Sequence, residues 1–365
     1  MSHDKLNALP LILTIGLASG VAFLVLAGLH LLTAEPLAFI VVAAALLCFG
    51  VFAAVHHAEI LALKMGEPFG SILLALAVTV IEAALILSQM QAGKAGAEFI
   101  GRDTVFSGVI IVLSGVVGLC LIIGGIRHRE QQFKLDGATA ALSVLATLTT
   151  FTLIMPSYTI TTPGPTYSNS QLAFVGVVSL VLYGVFVFVQ TVRHRDYFVS
   201  TETDNGDPPE LAPNGLTVAL SAILLPVALI VVVLLAKFLS TPLVAMVAQA
   251  GLPASFVGVV IAAVVLLPEG FAAVRAASHN QLQTSLNLAL GSAIATIGLT
   301  IPVLAAYALW QKVPLALGIG PQASVILALT VFVSSITLTT GRTTILQGAV
   351  HLVICGVFLF LSAVP

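Results

Sequence analysis

Apolar runs long enough to cross a bilayer recur along the whole chain, and they restrict its fold more than any other feature does. A helix rises about 1.5 Å per residue, so roughly 20 apolar residues span the hydrocarbon core. Because lipid offers no hydrogen-bond partner to an open backbone, such runs form helices rather than strands. We place eleven of them, to within a few residues, at 11–32, 37–55, 70–90, 105–125, 138–156, 171–190, 217–238, 253–277, 284–309, 322–339 and 345–363. The sequence therefore predicts an all-α polytopic membrane protein.

The composition agrees with a membrane protein and argues against a nucleic-acid partner. Only 8% of the 365 residues are charged and 59% are hydrophobic, whereas about a quarter of the residues in a soluble domain are charged. The net charge of -2 provides no basic surface for a nucleic acid. Cys48, Cys120 and Cys355 lie within apolar runs and are interpreted as buried hydrophobes without disulfides. The first run lacks a small-residue cleavage site, so we expect that helix to be retained.

Lys and Arg concentrate on one side of the predicted helices. That side carries nine of the 13 basic residues, with dense clusters at 127–134 and 193–195. The four on the opposite side are Lys94, Arg102, Lys237 and Lys312. Because basic loops remain in the cytoplasm, this bias predicts a cytoplasmic N-terminus and a C-terminus outside.

A hydrophilic stretch, 191–216, divides the chain. It is rich in Pro, Gly and acidic residues and is predicted to be a cytoplasmic linker. If 1–36 holds an additional N-terminal helix, then 37–190 and 217–365 each hold five. An odd number of crossings gives the two sets opposite orientations, so the sequence predicts two inverted five-helix repeats, as in many secondary transporters.

Two glutamates occupy matching places in these repeats. Glu82 and Glu269 each lie within the second helix of their set. An ionised side chain at the centre of a lone membrane helix costs roughly 2.5 to 3.5 kcal/mol, so such a residue indicates a partner, a cavity or a ligand. A protonated carboxyl that only assists packing is the alternative for either residue alone. Their matched placement favours a shared cation and proton site.

Oxygen ligands would surround these two carboxylates, and oxygen ligands suit a hard cation such as Ca²⁺. Pro268 cannot donate a backbone hydrogen bond to the Val264 carbonyl, which is thereby freed as a ligand. Further neutral oxygens are predicted from Thr79, Ser114, Asn287, Ser292 and Thr296. A low-dielectric site favours the protonated carboxyl, whereas a bound cation favours the ionised form. Cations and protons would therefore compete, and alternating access would turn that competition into antiport.

The remaining polar residues are interpreted as structural or solvated. The spacing of His56, His57 and Glu59 does not match that of a zinc-binding helix, so we expect these residues to lie in a solvated segment at the membrane interface. His30 and His351 are expected to make packing hydrogen bonds, with a proton relay as the alternative. Glu98 and Asp103 predict a solvated outer loop, although they could gather cations at the mouth. The linker acids Glu202, Asp204, Asp207 and Glu210 do not match a calcium loop.

Five stretches between residue 56 and the C-terminus carry a resemblance to a known family: HHAEILALKMGEPFGSILLALAVTVIEAALIL, GGIRHREQQF, LYGVFVFVQTVRHRDYF, PEGFAAVRAASHNQLQTSLNLALGSAIATIGLTIP and GRTTILQGAVHL. They resemble the cation/proton exchangers of the calcium/cation antiporter superfamily, in particular the bacterial ChaA-type calcium/proton antiporters. The resemblance implies an eleven-helix exchanger of the bacterial inner membrane. In that membrane the outside C-terminus, predicted from the basic residues, would be periplasmic. Glu82 and Glu269 fall where the family's two transport glutamates fall.

The sequence departs from the family pattern beside both glutamates. A Gly-Asn-Ala run is usual there, but Ile81 precedes Glu82 and Pro268 precedes Glu269. On the following helices, Gly115 and Ala295 stand where the family has polar residues. Fewer neutral ligands imply looser ion selectivity, and ChaA-type proteins move Na⁺ or K⁺ as well as Ca²⁺.

The sequence therefore predicts an antiporter that exports Ca²⁺ in exchange for external protons, with Na⁺/H⁺ or K⁺/H⁺ exchange as the alternative. We expect membrane lipid, the transported cations and protons as its partners, and no permanently bound cofactor. A cation channel is the less favoured alternative. An enzyme is disfavoured because no HExxH motif is present and no GxSxG motif lies in the spans.

Overall fold

The computed structural model describes residues 3–29, 37–66, 69–91, 96–199 and 213–365. Within these ranges the chain forms eleven long helices: α1 (His3–Gly28), α2 (Leu37–Met65), α3 (Phe69–Gln91), α4 (Ala97–His128), α5 (Leu135–Ser157), α6 (Asn169–Arg193), α7 (Gly215–Gln249), α8 (Phe256–Ser278), α9 (Leu282–Gln311), α10 (Pro321–Leu338) and α11 (Ile345–Ala363). Ten of them, α2 to α11, are long and apolar enough to cross a membrane, and α1 contains a shorter apolar segment, Ile12–Gly28. The predicted all-α multi-pass fold is confirmed. His30 and the four linker acids lie outside the described residues.

Three helices extend well beyond the apolar runs that predicted them. Helix α2 ends at Met65 rather than at residue 55, α7 ends at Gln249 rather than at residue 238, and α4 begins at Ala97 rather than at residue 105. The added segments contain more polar residues than the runs before or after them, and each contains Ala, which favours helix. Hydropathy therefore locates the apolar part of each helix rather than the residues at which the helix begins and ends.

Four of the described membrane helices contain a π-helical turn that interrupts the regular α-helical pattern. Among the described residues, α4 contains a π-helical turn at Ile111–Val116 and α9 contains one at Thr296–Thr300. Each helix is the third of its predicted five-helix set. Two further π-helical turns, Thr150–Ile154 and Val189–Arg193, lie in α5 and α6. Such turns leave carbonyl groups outside the usual i to i+4 ladder and are frequent at functional sites.

The chain divides into two compact units. The first contains α1, α2, α3 and α7, and the second contains the other seven helices. Both units draw helices from both halves of the sequence. This division groups helices by their contacts and does not compare the two halves of the sequence with each other. The two inverted five-helix repeats therefore stay a prediction.

Close helix packing at glycines organises the first unit. Helix α2 packs against α1, α3 and α7, and α3 also packs against α7. A Cβ atom on Gly20 would lie 2.9 Å from Val231 Cγ1, and one on Gly50 would lie 3.0 Å from Val232 Cγ2. These glycines therefore let α1 and α2 approach α7 to a distance that a larger residue would prevent.

The second unit is built around α9, which packs against α4, α5, α6 and α8. Helices α4 and α11 meet along a glycine seam, defined by Gly118 of α4 and Gly348 of α11. A Cβ atom on Gly348 would lie 2.8 Å from the Ile122 amide nitrogen and 2.9 Å from the Gly118 carbonyl oxygen. Two short strands, Gln131–Gln132 and Arg342–Thr343, pair antiparallel at one end of this unit.

Replacing Gly348 by alanine is expected to destabilise the protein, because the added methyl group meets backbone atoms of α4 that cannot move aside independently. Overpacking of this kind costs about 1–3 kcal/mol. Thermal unfolding of the purified protein in detergent should show a lower Tm for Gly348→Ala.

Gly356→Ala is the matched control on the same helix, because a Cβ atom there meets nothing within 4 Å. It should leave Tm unchanged or slightly higher, since alanine favours helix more than glycine does. Equal Tm values for the two variants would contradict close packing at the seam.

Candidate functional site

Glu82 is a buried carboxylate in the middle of a membrane helix. It lies on α3 in the first unit, and only 3% of its surface is exposed. It lies 13 positions after Phe69, where the helix starts, a rise of about 20 Å. A carboxylate at this depth and burial is stable only if it is protonated or compensated by a counter-charge or a bound cation.

Thr79 shares the buried face of Glu82, three residues earlier on α3. Its hydroxyl donates a hydrogen bond to the Ala75 carbonyl oxygen at 2.8 Å. A hydroxyl that donates to the helix backbone keeps its oxygen lone pairs for another partner. The structure thus places the two residues predicted for this half of the site on one buried helix face.

A polar pair that the sequence did not predict lies in the same unit. His57 of α2 is 6% exposed, and its Nδ1 lies 3.1 Å from Ser221 Oγ of α7. Its Nε2 has no hydrogen-bond partner among the residues that the structure describes. The predicted interfacial solvated segment is therefore wrong for His57. The sequence signal that could have predicted its burial is its helical spacing from Ala53 and Ala54, which are buried with it, as is Ala58.

Glu269 lies on α8 in the second unit, directly after Pro268. It is half-buried. Pro268 lies inside the helix, and because proline has no N–H, the Val264 carbonyl lacks its usual helical donor. The role of this carbonyl oxygen, about one turn before the carboxylate, as a cation ligand stays a prediction.

The helices around Glu269 converge at two glycines. A Cβ atom on Gly270 would lie 3.5 Å from Val116 Cγ2, in the π-helical turn of α4. A Cβ atom on Gly108 of α4 would lie 3.7 Å from Thr296 Cγ2 and 4.0 Å from Leu266 Cδ1. Helices α4, α8 and α9 therefore meet closely beside Glu269, and the π-helical turns of α4 and α9 lie at this meeting point.

The neutral oxygens predicted for this half of the site differ in how they are used. Ser114 is buried in the α4 π-helical turn and donates to the Ile110 carbonyl oxygen at 2.5 Å. Thr296 is buried in the α9 turn. Ser292 Oγ is buried and has no hydrogen-bond partner within the described part of the chain. A hydroxyl that donates to the helix backbone still keeps its oxygen lone pairs, so Ser114 and Ser292 both stay predicted ligands.

Asn287 has structural partners at both ends of its amide. Its Nδ2 donates to the Phe198 carbonyl oxygen at 2.5 Å, and its Oδ1 accepts a hydrogen bond from Gln283 Nε2 at 3.0 Å. The bond to Phe198 ties α9 to the segment that follows α6, and the bond from Gln283 lies within α9. Its predicted role as a cation ligand stays a prediction, and the structure favours a structural role.

Arg102 and Asp103 lie within α4 rather than in a solvated loop, which corrects the sequence expectation for Asp103. Arg102 Nε lies 2.8 Å from Asp103 Oδ1, and the two side chains are 17% and 13% exposed. Arg102 Nη1 also donates to the Gly318 carbonyl oxygen at 2.9 Å. The expectation failed because the apolar run begins later than the helix does. Glu98 likewise belongs to the first turn of α4.

Among the described residues, no group of three or more His, Cys, Asp or Glu side chains could hold a metal ion. A cation bound at either glutamate would depend on hydroxyl and carbonyl oxygens for its remaining ligands. Oxygen ligands of this kind are the ones that hard cations such as Ca²⁺ take.

Comparison with known proteins adds an independent observation. The family model described as sodium/calcium exchanger protein matches residues 35–192 and 220–364. The sodium-potassium/proton antiporter ChaA of Escherichia coli (strain K12) is 34% identical over 311 residues, covering 84% of each chain. The protein y4hA of Sinorhizobium fredii, whose name describes an ionic transporter, is 54% identical over 336 residues, covering 92% of this chain and 91% of its own.

The fold also matches a solved structure. The selenium-substituted Ca²⁺/H⁺ antiporter YfkE superposes with a TM-score of 0.73, covering 96% of this chain and 99% of the other. The two sequences are 18% identical. This likeness shows that the two chains share a fold.

Asn287→Leu is expected to lower the stability of the protein rather than its affinity for a cation. Loss of the amide leaves the Phe198 carbonyl oxygen without this donor, a change that costs about 1–3 kcal/mol when the acceptor is buried. Thermal unfolding in detergent should show the loss as a lower Tm. Asn169→Leu, at an exposed amide in the first turn of α6, is the control. An unchanged Tm together with weakened cation binding would instead identify Asn287 as a ligand.

Proposed function

Because the chain belongs to the sodium/calcium exchanger protein family, a family of transporters rather than enzymes, we propose that it exchanges cytoplasmic Ca²⁺ for external protons across the bacterial inner membrane. The observation that carries the proposal is Glu82, a carboxylate 3% exposed at the middle of a membrane helix. Glu269, preceded by the carbonyl freed at Pro268, supplies the second charge. In this proposal both glutamates bind the cation and the protons in turn.

Charge balance explains why two carboxylates would enforce exchange. Two ionised glutamates with Ca²⁺, or two protonated glutamates without it, are both neutral. The empty, doubly ionised site is not, and moving it through a low-dielectric region is costly. Only loaded states would therefore change their access from one side to the other. External protons would discharge the cation outside and return as the neutral proton-loaded form.

A second candidate cation is supported by one specific observation. The relative ChaA, 34% identical to this chain, is named a sodium-potassium/proton antiporter. One monovalent cation with one proton also neutralises two carboxylates, so Na⁺/H⁺ or K⁺/H⁺ exchange fits the same residues. Ca²⁺ is favoured because two negative charges and neutral oxygens match a divalent hard cation. The distribution of basic residues supports a cytoplasmic N-terminus and a periplasmic C-terminus.

Proteoliposomes with an acidic interior test the choice of ion. Adding Ca²⁺ outside should release protons from the interior, as recorded by a trapped pH indicator. Liposomes without protein are the control. A response to Na⁺ or K⁺ alone would select the alternative exchange. No response to any of the three cations would overturn antiport, and cation flux that moves no protons would indicate a channel.

Glu82→Gln and Glu269→Gln should each reduce exchange to the level of liposomes without protein, because each variant can no longer bind and release a proton at that position. Gln keeps the size of the side chain, so both proteins should remain folded, as size-exclusion chromatography and Tm would show. Glu130→Gln is the matched control, since Glu130 is exposed and lies 3.9 Å from Arg342 in a surface pair. Normal exchange by either membrane variant would remove that residue from the site.

A further inference from the structure

His351 is a fully buried histidine whose two ring nitrogens both have partners. It lies on α11 in the second unit and is 0% exposed. Its Nδ1 lies 2.7 Å from the Leu113 carbonyl oxygen, and its Nε2 lies 3.1 Å from Thr337 Oγ1. A carbonyl oxygen can only accept, so Nδ1 must carry a hydrogen and donate it to Leu113. The ring therefore joins α11 to both α4 and α10.

Leu113 belongs to the π-helical turn of α4, Ile111–Val116. In a π-helical turn the backbone bonds run from i to i+5, as from the Val117 N–H to the Val112 carbonyl oxygen in this turn. The neighbouring Leu113 carbonyl oxygen accepts a hydrogen bond from His351, on a different helix. The bond thus fixes one carbonyl of a segment whose own backbone pattern is irregular.

The glycine seam between α4 and α11 makes this bond geometrically possible. A Cβ atom on Gly118, one turn after Ser114, would lie 3.1 Å from His351 Cβ. Because Gly118 has no side chain, the backbone of α11 comes close enough for the imidazole to reach a main-chain oxygen. The hydrogen bond from His351 to Leu113 therefore depends on the close approach of the two helices at the glycine seam.

The same π-helical turn contacts the helix that carries Glu269. Val116 ends the turn, and its Cγ2 lies 3.5 Å from the position that a Cβ atom on Gly270 would occupy. Gly270 directly follows Glu269. A shift of the turn would therefore change the surroundings of the carboxylate without any contact between His351 and the cation.

We propose that His351 is a positioning residue for Glu269, acting through its hydrogen bond to Leu113 in the π-helical turn of α4. The proposal rests on the proposed function, because it assigns Glu269 to the transport site. Loss of the bond releases the turn and weakens the cation site, while the two glutamates keep their chemistry. Its signature is a higher KM for the cation with a smaller change in the maximal rate.

Three substitutions of His351 distinguish the effect of losing the hydrogen bond to Leu113 from the effect of losing the imidazole ring or the volume of the side chain. Asn places an amide nitrogen close to the position of Nδ1 and can still donate to Leu113. Gln places its amide nitrogen near the position of Nε2 and keeps only the Thr337 partner. Leu has neither. Thr337→Val removes the other partner and leaves the Leu113 bond in place.

Exchange measured against cation concentration should give His351→Gln and His351→Leu a KM about tenfold above wild type, as expected when a buried acceptor loses its donor. His351→Asn and Thr337→Val should stay within about twofold of wild type. If His351→Leu does not fold, the comparison of Gln with Asn decides the question.

Equal KM values for His351→Asn and His351→Gln, in protein of normal Tm, would overturn the positioning role. A wild-type protein that exchanges no cation would instead overturn the proposed function, so the two failures can be told apart. A fall in Tm for every variant, with KM unchanged in the folded fraction, would show that His351 serves packing alone.

Discussion

The energetic cost of a negative charge inside the bilayer is the constraint on which the rest of the structure depends. A carboxylate cannot remain ionised in hydrocarbon, so it must be enclosed by protein and neutralised by a proton or a cation. Glu82 is enclosed in this way, at 3% exposure, near the centre of α3. The same energetic cost would couple the two ions, because the empty, ionised site could not change its access from one side of the membrane to the other.

Enclosing such residues requires helices that approach closely and a backbone that is locally irregular. Glycines at positions 20 and 50 admit α7 in the first unit, and Gly118 and Gly348 join α4 to α11 in the second. The π-helical turns of α4 and α9 then provide carbonyl groups outside the helical ladder. The histidine bond to Leu113 shows how one such carbonyl is held by a neighbouring helix.

Hydropathy predicted the eleven helices because the thickness of the membrane sets their minimum length. It could not predict that α2 continues to Met65, since the polar residues between 56 and 65 lower the hydropathy without ending the helix. Glu82 and Glu269 were found from their placement alone, because an isolated charge in an apolar run is costly. The bond between His57 and Ser221 joins residues 164 positions apart, and no local pattern reveals a contact of that kind.

The central claim is that a cation and protons compete for the same carboxylates, and the most direct test measures both on binding. Purified protein in weakly buffered detergent solution is titrated with the cation that drives exchange, while an indicator dye records the pH. The account predicts that protons are released in proportion to the cation bound, that release ends at saturation, and that cation affinity falls as the pH is lowered. Saturable binding with no proton release and no dependence on pH would contradict it.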